Sequence, residues 1–203
     1  MTLTFVHDVP ASRVVFGEGS IAQVPDEVAR LDGTRVLLVS GGPEAEYAEQ
    51  IADLLGDRVA GRFTDVVMHV PVEVAARAVQ EAQECRADVV VALGGGSSTG
   101  VAKAIAKETG LPIVAVPTTY AGSEMTSIWG LTEGSRKLTG KDVRVLPRTV
   151  VYDPVLTISL PADISAASGM NALAHLMEGL YAPGISPISF QQAEEGVRAL
   201  ASS

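Results

Sequence analysis

The residues of this chain best suited to chemistry form a glycine turn between a predicted strand and a predicted helix. The apolar Val89–Leu93 leads into Gly94-Gly95-Gly96-Ser97, and helix formers, among them Ala102 and Lys103, follow. A β-branched run bounded by glycine is typical of a buried strand in a parallel sheet. Because glycine lets a ligand approach backbone N–H groups and a helix N-terminus attracts negative charge, the turn predicts a phosphate site. Its spacing matches neither G-x-G-x-x-G nor the Walker pattern, and a turn that binds nothing is the alternative.

Two more loops after predicted strands carry glycine or hydroxyl residues. Gly41-Gly42 follows the apolar segment 35–40, and Pro117-Thr118-Thr119 follows the apolar segment 113–116. The polar residues of the second loop could hydrogen-bond a nicotinamide or a substrate carboxylate, and they are Thr118, Thr119, Tyr120, Ser123 and Glu124. The alternative is that these side chains only satisfy the hydrogen bonds of the loop's own turns.

A further group of candidates lies on a predicted helix late in the sequence. Asn171 and His175 are four residues apart, so they share one helix face, and Glu178 lies close to that face. A neutral amide is a weak ligand for a divalent cation, and the other two histidines, His7 and His69, fall in unrelated segments. These residues therefore argue against a metal site, and they leave His175 as either a catalytic or a structural histidine.

Alternating apolar strands and amphipathic helices must position these candidates. The alternation predicts an α/β fold with a doubly wound, mostly parallel sheet. In such a sheet ligands bind beyond the carboxyl ends of the strands, where all three loops lie. The predicted strands are 12–16, 35–40, a short one within 59–68, 88–93, 113–116 and 148–152, and the predicted helices are 21–31, 44–55, 72–84 and 100–109.

The pattern changes after Tyr120 and again near residue 160. Glycines at 122, 130, 134 and 140 interrupt a polar segment that predicts a hairpin or an extended loop. From Pro161 onward the spacing is helical. We therefore expect an α/β domain over 1–160 and the beginning of an all-helical domain over 161–203, whose remainder lies outside this sequence. The apolar stripe of the first of these helices is Leu173, Leu176, Met177 and Leu180.

Composition and charge limit the classes of partner. The 203 residues carry a formal net charge of −9 and are 47% hydrophobic, which is ample for a buried core. Because the sequence has no basic run, we expect neither nucleic acid nor a membrane surface as its partner. We expect a small molecule instead. No apolar stretch is long enough to span a bilayer and the N-terminus does not resemble a signal peptide, so a cytoplasmic location is expected. The single cysteine, Cys85, is expected to be a packing residue.

Several short motifs occur in order along nearly the whole chain. They are Gly94-Gly95-Gly96-Ser97 with Ala102-Lys103, Pro117-Thr118-Thr119, Gly122-Ser123-Glu124, Asp153-Pro154, and Ser168-Gly169 to His175. Together they resemble the iron-containing alcohol dehydrogenase family. Within that family the chain is most similar to the maleylacetate reductases, through Gly100 in place of the usual Asp, the sequence of Thr118–Glu124 and the sequence of Ser168–His175.

The resemblance implies an enzyme that uses NADH or NADPH to reduce the carbon–carbon double bond of maleylacetate, giving 3-oxoadipate, in the breakdown of aromatic compounds. Substituted maleylacetates are also expected as substrates. A Rossmann-like, dehydroquinate-synthase-like N-terminal domain, a helical C-terminal domain and a homodimer are further implications. Carried over by position, the residues that would hold the pyrophosphate are Gly94, Gly95, Gly96 and Ser97, and those that would line the nicotinamide side are Thr118, Thr119, Ser123 and Ser127.

At two positions this chain has a neutral residue where many members of the family that it resembles have an acidic one. Gly41, beside Gly42, stands in place of an acid that binds the adenosine ribose, so we expect NADPH to be accepted alongside NADH. Asn171 stands in place of a metal ligand, so no metal is expected, and hydrogen bonds and cationic side chains would stabilise the enolate. Asn171 and His175 would orient the substrate, and this chain alone would bind cofactor but turn over poorly.

Two other functions stay open. A metal-dependent alcohol or polyol dehydrogenase, or a dehydroquinate-synthase-like lyase, would use the same nucleotide platform but needs acidic and imidazole ligands that this segment does not supply in full. A nucleotide-binding module without turnover is the second alternative.

Overall fold

The computed structural model describes residues 5–7 and 9–202, and these form two compact units. One unit spans Ala11–Ser159, and the other joins the described residues among the first ten to those from Leu160 onward. Within the second unit His7 Nδ1 lies 3.0 Å from the Ser186 hydroxyl. The sequence had assigned the first ten residues to the α/β domain, whereas their described part packs with the C-terminal helices. The functional division into domains 1–160 and 161–203 stays a prediction.

The unit of residues 11–159 is built on a six-stranded parallel sheet. Its strands lie in the order β1-β8-β5-β4-β2-β3, and β6 and β7 form a separate antiparallel pair. The strands are β1 (Arg13–Phe16), β2 (Val36–Ser40), β3 (Val59–Phe63), β4 (Val89–Gly94), β5 (Ile113–Pro117), β6 (Ile128–Glu133), β7 (Arg136–Lys141) and β8 (Thr149–Tyr152). The helices are α1 (Val24–Ala29), α2 (Ala45–Leu55), α3 (Val72–Glu84) and α4 (Gly96–Thr109).

Helices cover both faces of this sheet. Strands β2, β4 and β5 are buried along their whole length, as their unbroken apolar sequences require. Helices α1 and α2 pack on one face and helices α3 and α4 on the other, each pair over its own apolar cluster. The predicted doubly wound, mostly parallel sheet is therefore confirmed.

The polar segment after Tyr120 forms the predicted hairpin. Strands β6 and β7 pair from Ile128 with Lys141 to Glu133 with Arg136. Thr132 fastens the hairpin to the loop before α3, because its backbone N–H donates to the Val70 carbonyl at 3.0 Å and its hydroxyl to the His69 carbonyl at 2.8 Å.

Helix α4 begins at Gly96, four residues before the predicted start at Gly100. Glycine, serine and threonine are poor formers of helix interiors, so the sequence of 96–99 favours a loop. Residues 96–99 instead form the first turn of α4, so the glycine turn continues directly into the helix. Gly100 lies where an ideal Cβ would come within 2.8 Å of Val70 Cγ2, so a larger residue there would displace the loop before α3.

The second unit contains helices α5 (Ala162–Tyr181) and α6 (Pro187–Ser202). They pack closely where an ideal Cβ on Gly196 would lie 2.7 Å from Leu176 Cδ2. In the predicted apolar stripe of α5, Met177 is exposed and the three leucines are half-buried. Within the described part of the chain, no helix is both long and apolar enough to cross a membrane.

Candidate functional site

The three sequence-predicted loops meet at one edge of the sheet. Strands β2, β4 and β5 are parallel neighbours, so Gly41, Gly95 and Thr118 follow their carboxyl ends side by side. Helix α2 leaves β2 on one face and α4 leaves β4 on the other, which makes the gap between these strands a topological switch point. Ligands of open α/β sheets bind in the crevice at such a point.

The turn from β4 into α4 depends on glycine. Gly94 has a φ of +132°, which L side chains rarely adopt, and an ideal Cβ there would lie 2.5 Å from Ser98 Oγ. An ideal Cβ on Gly95 would lie 3.0 Å from both Oγ1 and Cγ2 of Thr119. The end of β5 thus packs directly on this turn, and the Thr118 N–H donates to the Gly94 carbonyl at 3.2 Å.

The N-terminus of α4 leaves backbone donors for a ligand. Gly95 is the N-cap and, among the described residues, no side chain caps it. The Thr99 N–H makes the first helical bond, to the Gly95 carbonyl at 3.2 Å. The N–H groups of Gly96, Ser97 and Ser98 therefore lack helical acceptors, and the helix dipole favours an anion beside them.

A carboxylate that the sequence analysis did not single out, Glu44, joins the three loops. Its Oε1 accepts a hydrogen bond from the Thr118 hydroxyl at 3.2 Å. Its Oε2 lies 3.0 Å from an ideal Cβ on Gly41, and its Cδ lies 3.4 Å from one on Gly94. A carboxylate therefore does lie beside Gly41, although it comes from a residue three positions later in the chain.

A buried lysine holds the loop that follows β5. Lys103 is 1% exposed, and its Nζ donates to the carbonyls of Ser123, Thr126 and Ile128 at 2.7–2.8 Å. Burial lowers the pKa of this ammonium to about 8, and the negative charge of Glu124 opposes the shift. Near neutral pH the ammonium therefore fixes the path of residues 123–128.

Glu124 and Tyr152 form a buried pair beside that loop. The Tyr152 hydroxyl donates to Glu124 Oε1 at 2.7 Å, and Glu124 is 3% exposed. Burial and the neighbouring carboxylate raise the pKa of Tyr152, so its hydroxyl stays a donor at physiological pH.

Tyr152→Phe is expected to lower the free energy of unfolding by about 2 kcal/mol at pH 7, because it leaves the buried Glu124 carboxylate without its donor. Urea denaturation measures this difference. Tyr120→Phe is the matched control: the Tyr120 hydroxyl donates to Thr157 at 3.2 Å but the ring is half-exposed, so a change within about 0.5 kcal/mol is expected. Equal losses in both variants would contradict the role given to the buried pair.

Two cavities lie on either side of the loop after β5. One, of about 400 Å³, lies towards β8, and the other, of about 340 Å³, lies towards the hairpin. Gly122 and Glu124 face the first cavity, while Ser123 and Ile128 face the second. Three of the side chains that line the second cavity carry or can take up a positive charge: His69, Lys103 and Lys137. Gly96, Ser97 and Gly100 of helix α4 line it as well.

The structure brings most of the predicted site residues to this edge. Gly94 is the last residue of β4, and Ser123 lies in the loop held by Lys103. The residues that directly follow the three adjacent strands are Gly41, Gly42, Gly95, Gly96, Ser97, Thr118 and Thr119. Ser127 is buried at the base of the hairpin, where its carbonyl accepts from the Asp142 N–H at 2.9 Å. Their roles in binding a cofactor stay predictions.

Asn171 and His175 belong to the other unit. Both are exposed on α5, and His175 Nδ1 lies 3.7 Å from Glu178 Oε2. Within the described ranges no cluster of three or more His, Cys, Asp or Glu side chains could hold a metal ion. The catalytic roles predicted for Asn171 and His175 stay predictions.

Lys103 and Glu44 were not predicted as site residues, and only Lys103 has a signal in the local sequence. Lys103 lies among Val101, Ala102, Ala104 and Ile105, so a helix buried on that face must also bury a cation. Glu44 carried none beyond its place after Gly-Gly-Pro, because its partner Thr118 is 74 residues away.

The fold and its crevice define a Rossmann-like α/β protein with a glycine turn at the switch point of its sheet. The family model of iron-containing alcohol dehydrogenases matches residues 11–154, and the chain belongs to that family. It is 52% identical to the maleylacetate reductase of Sphingobium indicum over 201 residues, which cover 99% of this chain and 57% of that protein.

Solved structures agree with this assignment. Maleylacetate reductase from Rhizobium sp. strain MTP-10005 is 46% identical with a TM-score of 0.96, covering 99% of this chain and 57% of that one. Sulfoacetaldehyde reductase from Bifidobacterium kashiwanohense, in complex with NAD⁺, is 26% identical with a TM-score of 0.90, covering 97% and 59%. The chain thus spans somewhat more than half the length of the relatives it matches.

Proposed function

We propose that the protein to which this chain belongs reduces maleylacetate to 3-oxoadipate with NADH or NADPH. The observation that carries the proposal is the 52% identity to a maleylacetate reductase along 99% of this chain. The glycine turn at the switch point supports it independently, because a dinucleotide needs an anion cradle at that place.

The residues at the sheet edge fit a dinucleotide. The uncapped N–H groups of 96–98 would bind the pyrophosphate, and Gly94, Gly95 and Gly96 carry no side chains that would cover these donors. Gly41 and Gly42 would border the adenosine, and Thr118, Thr119, Ser123 and Ser127 would line the nicotinamide side. The relative from Bifidobacterium that binds NAD⁺ supports the same class of cofactor here.

The reaction requires positioning and charge stabilisation from the protein. The cofactor, when bound, supplies the hydride to a double bond conjugated to a ketone. Negative charge then develops on the ketone oxygen, and preorganised donors or cations lower the free energy of that state. A proton added to the carbon next to the ketone then completes 3-oxoadipate. Asn171 and His175 are our candidates for orienting the substrate, because they present an amide and an imidazole on one exposed face of α5.

Metal-independent hydride transfer is the finer part of the proposal, and the family name counts against it. The donor set on α5 is incomplete for a divalent cation, since beside the His175 imidazole and the Glu178 carboxylate it offers only the neutral amide of Asn171. We therefore derive no step through a metal.

A cytoplasmic homodimer without nucleic acid or membrane partners also stays a proposal, as does the acceptance of substituted maleylacetates. The acidic net charge of −9 supports the absence of a nucleic-acid partner.

The full-length protein mixed with NADH and maleylacetate tests the proposal through the loss of nicotinamide absorbance. We expect one NADH oxidised per maleylacetate, 3-oxoadipate as product, and unchanged turnover after exhaustive chelation. Glycerol or ethanol with NAD⁺ is the control, and no turnover is expected. Turnover of the alcohols alone would favour a dehydrogenase. Loss of activity on chelation that iron or zinc restores would overturn metal independence while leaving the substrate assignment intact.

A further inference from the structure

The loop before α3 holds two consecutive residues in an unfavourable backbone conformation. His69 has a φ of +65° and Val70 a φ of +45°. A positive φ is a genuine outlier for a β-branched residue such as valine, and it persists only where the surrounding structure enforces it. Because strain of this kind is concentrated at binding and active sites, the loop is a candidate for a role in binding.

Two other elements enforce this conformation. On one side, Thr132 of the hairpin donates its N–H to the Val70 carbonyl and its hydroxyl to the His69 carbonyl. On the other side, Val70 is 3% exposed, and its Cγ2 lies in the space that a Cβ on Gly100 of α4 would need. These contacts use the Val70 side chain and the backbone of the loop, so they fix the position of His69 without engaging its imidazole.

The His69 side chain is exposed and lines the second cavity, of about 340 Å³. Gly96 and Ser97, our candidates for holding the pyrophosphate, line the same cavity, and so does Ser123, our candidate for the nicotinamide side. The volume is in the range of small-molecule sites. A ligand between these residues and His69 would therefore lie beside the reactive end of the cofactor.

The three cationic or imidazole side chains of this cavity differ in the donors that they have left. Lys103 already donates to three backbone carbonyls. Within the part of the chain that the structure describes, the side chains of His69 and Lys137 form no hydrogen bond and no ion pair. Lys137 lies on β7 and has a long side chain that loses entropy when it is held, whereas the imidazole has two torsions and a fixed backbone. His69 is therefore the preorganised donor of the cavity.

A dicarboxylate substrate needs such a donor. Maleylacetate carries two carboxylates, and a carboxylate taken out of water without a partner is strongly disfavoured. We propose that His69 donates a hydrogen bond to one carboxylate of the substrate, and that the strained loop, packed on Gly100, holds the imidazole at that place. The inference rests on the proposed function, from which it takes the substrate, and it gives the α/β unit a part in choosing that substrate.

His69→Gly tests the proposal while preserving the fold. Glycine accepts a positive φ freely, so the variant loses the imidazole and the strain together, and a thermal melt checks that it stays folded. Steady-state kinetics of the full-length protein gives kcat and KM for maleylacetate, and fluorescence titration gives the dissociation constant of NADH. We expect KM to rise about tenfold to a hundredfold, the factor for losing a hydrogen bond to a charged group, with kcat and NADH affinity unchanged within about twofold.

The two methyl monoesters of maleylacetate, each with one carboxylate masked, identify the contact. On the ester that masks the carboxylate bound by His69, the parent should already have a raised KM, and His69→Gly should add little because the contact is already lost. On the other monoester the variant should lose as much as it does on maleylacetate. An equal loss on all three substrates would show that His69 does not bind a carboxylate, and it would overturn the proposal.

Arg86→Gly is the matched control. Arg86 is an exposed residue with a φ of +50°, and it lies between α3 and the amino end of β4, at the opposite edge of the sheet. Its kcat, KM and NADH affinity are expected to stay those of the parent, and a His69→Gly variant that behaves in the same way overturns the proposal.

Two further outcomes separate this inference from the function on which it rests. If His69→Gly weakens NADH binding as much as it raises KM, His69 contacts the cofactor phosphates instead, and the proposal is wrong. A parent that binds NADH but does not oxidise it with maleylacetate overturns the proposed function, and this inference with it.

Discussion

Gly94→Ala is expected to weaken NADH binding roughly tenfold to a hundredfold and to lower the free energy of unfolding by about 1–3 kcal/mol. The reason is geometric. A φ of +132° strains any residue with a Cβ, and that Cβ would lie 2.5 Å from Ser98 Oγ. Relief of either conflict moves Ser98, which belongs to the first turn of α4, and so turns the N–H groups of 96–98 away from the phosphate. Isothermal titration with NADH and urea denaturation of the same preparation measure the two effects.

Gly169→Ala is the control for this substitution. Gly169 lies within α5, has no described heavy atom within 4 Å of an ideal Cβ, and does not have a positive φ. Alanine there should stabilise the helix by up to about 1 kcal/mol and leave NADH affinity unchanged. If Gly94→Ala bound NADH as tightly as this control does, the glycine turn would not be the pyrophosphate site.

Lys103→Met is expected to lower the free energy of unfolding by about 3–5 kcal/mol, a large share of the stability of a typical domain. The substitution keeps an unbranched side chain that is shorter by the terminal nitrogen and removes all three N–H donors, so three carbonyls of the loop lose their shared partner. Denaturant unfolding gives the loss, and NADH titration should show weaker binding because residues 123–128 are no longer held. Lys107→Met, one turn later on a partly exposed lysine, should cost less than about 1 kcal/mol.

The pH dependence of stability separates the ammonium from mere packing. The pKa of Lys103 is about 8 in the folded protein and has its ordinary value of 10.5 in the unfolded chain. Between these values the unfolded state binds the extra proton, so the free energy of unfolding rises with pH, by at most about 1.4 kcal/mol per unit. The difference between the parent and Lys103→Met should therefore grow from pH 8 to pH 9.5. A difference that is flat across this window would show that the lysine is not titrating there.

The elements of this fold could be predicted where hydrophobic pattern alone decides. The helix over 72–84 has its predicted bounds, and the buried strands predicted over 88–93 and 113–116 differ from the observed ones by at most a residue at either end, because unbroken apolar runs and an amphipathic face admit few alternatives. The predicted start of α4 was wrong, because the glycine, serine and threonine residues of 96–99 favour a loop by their local preferences. Contacts such as that of Thr119 with Gly95 come from a distant part of the chain, and local sequence does not reveal them.

The site could be predicted as a set of loops but not as a set of contacts. Parallel strands bring their carboxyl ends together, so Gly41, Gly95 and Thr118 follow from topology. The contact from Glu44 to Thr118 and the three carbonyls around Lys103 join segments that are far apart in sequence, and no local pattern encodes them. Catalytic roles for Asn171 and His175 depend on the resemblance, since their side chains make no arrangement on α5 that identifies a reaction by itself.

The loop held by Lys103 is a shared wall with one cavity on each side. Because Gly122 and Glu124 face one cavity while Ser123 and Ile128 face the other, a shift of this backbone that enlarges one volume reduces the other. An engineer who wishes to admit a bulkier ligand on one side must therefore accept a tighter fit on the opposite side, or reshape the outer walls instead. The volumes of the two cavities are thus coupled through one stretch of backbone, and a variant made to enlarge one cavity should be checked for a change in the other.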